Sequence, residues 1–451
     1  MERLALNNLL EWKDDKYRKP LLLWGARQTG KTYLLKDIFA QRYYKDNHIY
    51  IDCRTDYEFV DYCESHTNAN NVLRYLSYRH NIEINENTLL IFDEAQECLP
   101  IITLMKYFCQ DYREVPVIVT GSMVRIKIKR ENNKRGQQSK GFLFPTGKIN
   151  ELTLFPMSFE EFLINTNEKL YNYIKDCYKS KIALEKEYHN MALDYLYNFL
   201  FVGGMPEAVQ RYIETQDLLQ TQKVIKELYN NYLNDMELYQ ASAESIVRSR
   251  KIYENLYNQL NKKSKNFKAS LIEDKKRNRD LRSPIDWLTL AYVVYKSSVT
   301  KDKVSVPISE WDESLFRLYM ADTGLFVYQS GIKAVDFITD DGRKNLPGIL
   351  FENYIADEII AKGLKLFYWK GKNDAEFEFI FNDGEYIIPV DVKKGRGTLN
   401  SLEKFKNHNK FKYAIKISSN NYGYDKQKQI YTIPLYAAFL VLNDLTILEN
   451  H

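Results

Sequence analysis

Residues Gly25-Ala-Arg-Gln-Thr-Gly30-Lys31-Thr32 stand between an apolar run, Leu21-Leu-Leu-Trp24, and an apolar-periodic stretch, Tyr33-Leu-Leu-Lys-Asp-Ile-Phe39. A strand, a glycine loop and a helix in that order constrain the backbone more than any other feature of the chain. The glycines let the loop wrap with its N–H groups pointing inward, which makes a cradle for an anion at the positive end of a helix. The spacing G-x-x-x-x-G-K-[ST] gives each residue a part. The main chain of Gly25, Ala26, Arg27, Gln28, Thr29 and Gly30 surrounds phosphate oxygens, Lys31 reaches the β- and γ-phosphates, and the Thr32 hydroxyl takes one position on Mg²⁺. The expected ligand is a nucleoside triphosphate, ATP, bound with Mg²⁺.

Three further apolar runs, His48-Ile-Tyr-Ile-Asp52, Leu89-Leu-Ile-Phe92 and Val117-Ile-Val119, alternate with longer helical or mixed segments. Buried parallel strands joined by crossovers read this way, and the pattern predicts an α/β nucleotide fold over residues 1–150. The second run ends in Asp93-Glu94-Ala-Gln96, two adjacent acids at the carboxyl end of a strand, where open α/β sheets bind their ligands. This is the pattern of a Walker B element: Asp93 holds Mg²⁺ and Glu94 polarises the water that attacks the γ-phosphate. The third run leads into Thr120-Gly-Ser122, which would set the Ser122 hydroxyl beside the γ-phosphate as a sensor of hydrolysis; an ordinary strand-end turn accounts for the same residues.

With 451 residues, 45% of them hydrophobic, the chain has room for two to four domains, each with its own core. Its five cysteines are odd in number, lie in the first half and form no C-x-x-C pair, and its six histidines show no metal-ligand spacing. A disulfide framework and a zinc site are therefore not expected, and a reducing cytoplasm is. The N-terminus has no cleavable apolar core and no segment is long enough to span a bilayer, so neither export nor a membrane partner is expected. The formal net charge of +4 is unevenly spread: residues 241–300 carry thirteen Lys and Arg against six Asp and Glu. A second basic run, Arg125 to Lys140, reads as a solvated loop, with Lys148 or one of its cations as a candidate finger for a neighbouring subunit.

Together these residues resemble a bacterial and archaeal family of AAA-type ATPases that pair an N-terminal nucleotide domain with a nuclease-like C-terminal domain of uncharacterised function. The resemblance rests on the loop at 25–32, Phe92-Asp-Glu-Ala-Gln96, Thr120-Gly-Ser122, Leu154-Phe-Pro-Met-Ser-Phe-Glu-Glu-Phe-Leu163, Gly203-Gly-Met-Pro-Glu207, Leu318-Tyr-Met-Ala-Asp-Thr-Gly-Leu325 and Phe351-Glu-Asn-Tyr354. It implies a P-loop ATPase domain over 1–150, a helical lid over 151–240, a winged-helix-like domain over 241–330 and a restriction-endonuclease-like α/β domain over 340–451. In the lid, Pro206 resembles the proline of a G-x-P element set against adenine, and a proline at the first turn of a helix gives a structural account of the same residues. The basic stretch Lys262, Lys263, Lys265 and Lys268 falls in the winged-helix region, where Lys275, Lys276, Arg277, Arg279 and Arg282 would neutralise nucleic-acid phosphates; winged helices also serve as protein spacers.

After Pro347-Gly348 the order is a helix, Leu350 to Ile360, then strands at Leu366-Phe-Tyr-Trp369, Glu376-Phe-Glu-Phe-Ile380 and Tyr386 to Lys393. In the nuclease-like reading Glu352, Glu378 and Asp391 gather a second divalent cation, with Lys393 two positions on, along the same strand face, orienting water. The chain departs from the family pattern by carrying Glu378 where Asp is usual and Asp391 where Glu is usual. Two expectations follow: an Mg²⁺-dependent ATPase acting with DNA or RNA, or a signalling or assembly ATPase whose nuclease-like domain binds protein, a homo-oligomer or another partner.

Overall fold

A computed structural model describes residues 1–133, 144–240, 242–372, 375–382, 384–394 and 401–443. The chain divides into two compact units, Glu2–Phe155, and Pro156–His451 together with Met1.

The first unit holds a five-stranded sheet built from β1 (Leu21–Trp24), β2 (His48–Asp52), β3 (Leu89–Asp93), β4 (Val117–Thr120) and β5 (Asn150–Thr153). The order is β2-β3-β4-β1-β5 and every pairing is parallel. β1, β3 and β4 are buried from end to end, which is why they read as unbroken apolar runs rather than alternating ones. One face carries Leu21, Leu23, Leu89, Ile91 and Ile118, and on it lie Leu6, Leu9 and Trp12 of helix Ala5–Asp14 with Leu34, Leu35 and Phe39 of helix Tyr33–Ala40. On the other face Phe92 stacks on Phe59 at a centroid distance of 5.4 Å. Because β1 lies between β4 and β5 while β3 lies beyond β4, the carboxyl ends of β1, β3 and β4 open side by side.

The charge run that begins at Arg125 does not start as a loop. Residues Val124–Asn133 are helical, with Val124 and Ile128 buried on one face and Ile126 buried on the opposite one. Lys134, Arg135 and Lys140 lie outside the described residues.

The second unit begins with helices Phe159–Thr166, Glu168–Lys179, Lys186–Val202, Pro206–Thr215 and Leu218–Tyr239. The first is closed by a capping box in which Ser158 and Glu161 satisfy each other's backbone. Helices Ala243–Glu254, Leu256–Leu260 and Arg282–Leu290 follow, then an antiparallel pair, β6 (Val294–Thr300) and β7 (Trp311–Met320). β6 also pairs in parallel with β8 (Phe367–Lys370), which pairs with β9 (Glu376–Phe377), so one sheet of order β7-β6-β8-β9 draws strands from both sides of residues 330–340. A second sheet, β10-β11-β12-β14-β13, is made of β10 (Phe379–Asn382), β11 (Ile387–Lys393), β12 (Ala414–Ser418), β13 (Gly423–Asp425) and β14 (Ile430–Pro434). The segment Glu376 to Ile380, which alternates like one strand, is thus broken at Glu378, and its two halves belong to different sheets. Among the described residues no helix is long and apolar enough to cross a membrane.

Candidate functional site

The glycine loop closes on itself at the mouth of the first sheet. Gly25 has φ +147° and Gly30 φ +87°, and a Cβ on Gly25 would stand 2.3 Å from the Leu154 carbonyl oxygen, so neither position tolerates a side chain. Arg3 holds the loop from behind, donating to the carbonyls of Thr29 at 2.9 Å and Phe155 at 2.7 Å. Thr29 is fully buried and its hydroxyl donates to the Ala26 carbonyl at 2.9 Å. Lys31 folds back onto the loop, its ammonium 2.6 Å from the Ala26 carbonyl and 3.1 Å from that of Gly25. Burial brings the Lys31 ammonium down to about 8, against the opposing pull of Asp93 and Glu94.

Thr32 and Asp93 meet directly: the hydroxyl donates to Asp93 Oδ2 at 2.6 Å. Tyr50 on β2 donates to the same oxygen at 3.1 Å, and burial followed by the Asp93 charge raises its phenol above the ordinary range. Glu94 follows in the left-handed region (φ 49°, ψ 40°), its N–H donating to Asp93 Oδ1 at 2.7 Å. The Glu94 carboxylate accepts from the Gln96 side-chain amide and lies 3.9 Å from the Arg54 guanidinium. Ser122 is buried just past the end of β4, while Thr120 is turned away, donating to the Leu23 carbonyl at 3.0 Å. A hydroxyl and a carboxylate side by side are hard oxygen ligands, and beside a collar of backbone N–H groups they fit a magnesium triphosphate.

Pro206 belongs to the second unit and opens helix Pro206–Thr215. The glycines before it are held by Asp322, which accepts from Gly204 N at 2.6 Å and from Leu325 N at 2.9 Å. A Cβ on Gly204 would fall 1.9 Å from the Met157 carbonyl oxygen, so three motifs distant in sequence meet at this point. Burial pushes the Asp322 carboxyl up to about 6, although the backbone donors pull the other way.

The structure also brings Glu352, Glu378, Asp391 and Lys393 together, in the second unit. Glu352 projects from helix Gly348–Ala361, Glu378 sits at the break between β9 and β10, and Asp391 and Lys393 share one face of β11. Glu352, Glu378 and Asp391, expected to gather a divalent cation, have cations of the chain standing among them. Lys265 reaches Glu352 at 2.5 Å and Glu378 at 3.4 Å, Arg317 reaches Glu352 at 3.1 Å, and Lys393 reaches Asp391 at 2.8 Å and Glu378 at 3.7 Å. Among the described residues no group of three or more His, Cys, Asp or Glu side chains is placed to hold a metal ion.

Residues 17–163 match the family model of an AAA domain. The first unit thus carries an AAA domain. Residues 193–336 and 347–437 match two domains of unknown function, DUF8612 and DUF4143. No curated protein matches the chain. Among solved structures, AMPPCP-bound DnaA from Aquifex aeolicus is similar at 13% identity, covering 64% of this chain and 87% of that chain, with a TM-score of 0.28.

Three polar residues around the loop of the AAA domain, Arg3, Tyr50 and Arg54, carry no signal of that position in the sequence. Gln96 had a local signal, two positions beyond Glu94 and within the quoted Asp-Glu-Ala-Gln run. Arg3 lies 152 positions from Phe155, and nothing in its own segment announces that partner.

Proposed function

We propose that the chain is an Mg²⁺-dependent ATPase that couples its nucleotide state to the modules of the second unit, with nucleic acid as their partner. The observation that carries this reading is the Thr32–Asp93 contact of 2.6 Å at the lip of the glycine loop. Thr32 and Asp93 would hold Mg²⁺, which supplies hard positive charge to the phosphate oxygens. Lys31 exchanges the carbonyls of Gly25 and Ala26 for the β- and γ-phosphates, the backbone of residues 25–32 binds the remaining oxygens, Glu94 orients the attacking water, and Ser122 senses the γ-phosphate. Pro206 is assigned to the adenine. We keep the division into a P-loop domain (1–150), helical lid (151–240), winged-helix-like domain (241–330) and nuclease-like domain (340–451) as part of the proposal. The order of helices Ala243–Glu254 and Arg282–Leu290 before the β6–β7 pair supports the third.

Nucleic acid as partner is supported by exposed cations at Lys262, Lys263, Lys268, Lys275, Arg277, Arg279 and Arg282. Arg248 is half-buried and pairs with Glu273 at 2.8 Å, whereas Arg279 and Arg282 stay exposed beside Asp280 and Glu313. The deciding experiment is ATP turnover by the wild type and by Glu94→Gln, with and without duplex and single-stranded DNA. Turnover that rises with DNA and is lost in the variant supports the proposal; turnover indifferent to any DNA or RNA at low salt removes the nucleic-acid partner. A signalling or assembly ATPase is the second reading, favoured by the cation-filled carboxylate cluster, and it predicts a change of mass in solution between the ADP and ATP states.

A further inference from the structure

The cluster in the second unit contains four carboxylates and three cations, and nearly every oxygen is spoken for. Glu352 Oε1 accepts from Arg317 at 3.1 Å and from Tyr319 OH at 2.5 Å, while its Oε2 takes the Lys265 ammonium. Glu376 Oε2 takes the second arm of Arg317 at 2.7 Å, and its Oε1 lies 3.9 Å from Lys265. Glu378 Oε1 is shared between Lys265 and Lys393, and its Oε2 accepts from Val392 N at 3.4 Å. Arg317 is wholly buried, Glu352, Glu378 and Asp391 nearly so, and Lys265 is about one-fifth exposed.

A divalent ion such as Mg²⁺ asks for about six oxygen ligands with free lone pairs at about 2.1 Å. Here the carboxylate oxygens face donors except Asp391 Oδ2, which is buried without a hydrogen-bond partner, and three positive groups lie within 4.0 Å of the oxygens a metal would need. Burial would lower the Lys265 ammonium, but the charges of Glu352 and Glu378 outweigh it and hold the group above its ordinary value, fully charged at neutral pH. The geometry is that of a charge cluster already balanced to within one unit.

We infer that Lys265 is the resident cation of this cluster, filling the place a divalent metal takes in nuclease-like carboxylate sites, and that the cluster is a metal-free latch fastening the basic segment before β6 to helix Gly348–Ala361 and to the β9–β10 break. The inference goes beyond the ATPase reading and is independent of it. It gives the nuclease-like module a structural and binding task in place of metal-assisted phosphodiester cleavage. It also separates two roles within one basic run: Lys265 is consumed by the fold, while Lys262 and Lys263 remain at the surface. Removing the lysine leaves two cations against four carboxylates, a charge of the size a divalent ion neutralises.

The test is calorimetric titration of the full nucleotide-free chain with Mn²⁺. Wild type and Glu378→Gln are expected to take up the same amount of Mn²⁺, and chelator is expected to leave the wild-type melting temperature unchanged. Lys265→Met is expected to gain one Mn²⁺ equivalent that a second substitution, Glu378→Gln, removes. Wild-type Mn²⁺ uptake that Glu378→Gln or Asp391→Asn abolishes would overturn the inference, and so would a folded Lys265→Met protein that gains none. The comparison of wild type with Glu378→Gln and Asp391→Asn decides the question even where Lys265→Met does not fold.

Discussion

Asp93 accepts the hydroxyl of Thr32 from a strand that begins more than fifty residues later in the chain, and the same oxygen accepts Tyr50. The carboxylate is thus fixed in direction before any ligand arrives, which lowers the ordering cost of binding. Replacing Asp93 by Asn keeps a group of the same shape but removes its charge. We expect Asp93→Asn to lose the Mg²⁺ dependence of ATP affinity and about 10²-fold or more in turnover, while metal-free ATP still binds. Calorimetry with and without Mg²⁺ reads this directly; an unchanged Mg²⁺ dependence would remove Asp93 from the metal.

Lys31 offers a proton count. With its ammonium brought down to about 8 by burial, roughly half of the nucleotide-free protein is neutral at Lys31 at pH 8. An arriving triphosphate favours the charged form, so binding takes up about half a proton at pH 8 and nearly none at pH 6.5. Titrations with metal-free ATP in buffers of different ionisation heat measure the uptake; equal heats in all buffers at pH 8 would contradict it.

The fold of the AAA domain was largely legible because its central strands are buried on both faces and leave no room for polar residues. β1 to β4 appear as apolar runs, whereas β5, Asn150-Glu-Leu-Thr153, lies at an edge, is only half buried and carries no such signal. The site was legible where one residue type is forced by backbone geometry, as at Gly25 and Gly30, and illegible where a side chain is placed by tertiary packing, as with Arg3 and Tyr50. Lys265 shows the limit plainly. In sequence it is one lysine among several in a basic run, and its pairing with Glu352 depends on a helix that begins at Gly348. The break at Glu378 was hidden for another reason: period-two alternation continues through it while the chain changes sheets.

Glu358 makes stability depend on pH. It accepts from Phe159 N at 2.6 Å with one oxygen, its other oxygen has no hydrogen-bond partner, and burial pushes its carboxyl up to about 7 from an ordinary 4.5. Between these values the folded state keeps a proton that the unfolded chain has released, so stability falls as pH rises from about 4.5 to about 7 and is level beyond. The contribution is about 3 kcal/mol, and the carboxyls of Asp322 and Asp391, also raised by burial, slope the same way. Urea midpoints from pH 4.5 to 8 should show the decline, and Glu358→Gln should remove about one proton's worth of it.

Gly204 is irreplaceable for a steric reason. A methyl group there would sit 1.9 Å from the Met157 carbonyl oxygen, a backbone atom that cannot move without breaking the Met157 N to Gly204 O bond of 2.6 Å. Gly204→Ala should cost about 3 kcal/mol or more in urea unfolding. Gly348→Ala, which meets no heavy atom within 4 Å, is the control and should stay within about 0.5 kcal/mol.

The sheet that joins β6 to β8 sets where this polypeptide can be divided. A scission between 336 and 347 would respect the two matched domains yet strip β8 from β6, leaving raw strand edges on both fragments. Separately expressed halves would then tend to cling to one another or to copies of themselves, and co-expression of the pieces would recover what neither holds alone.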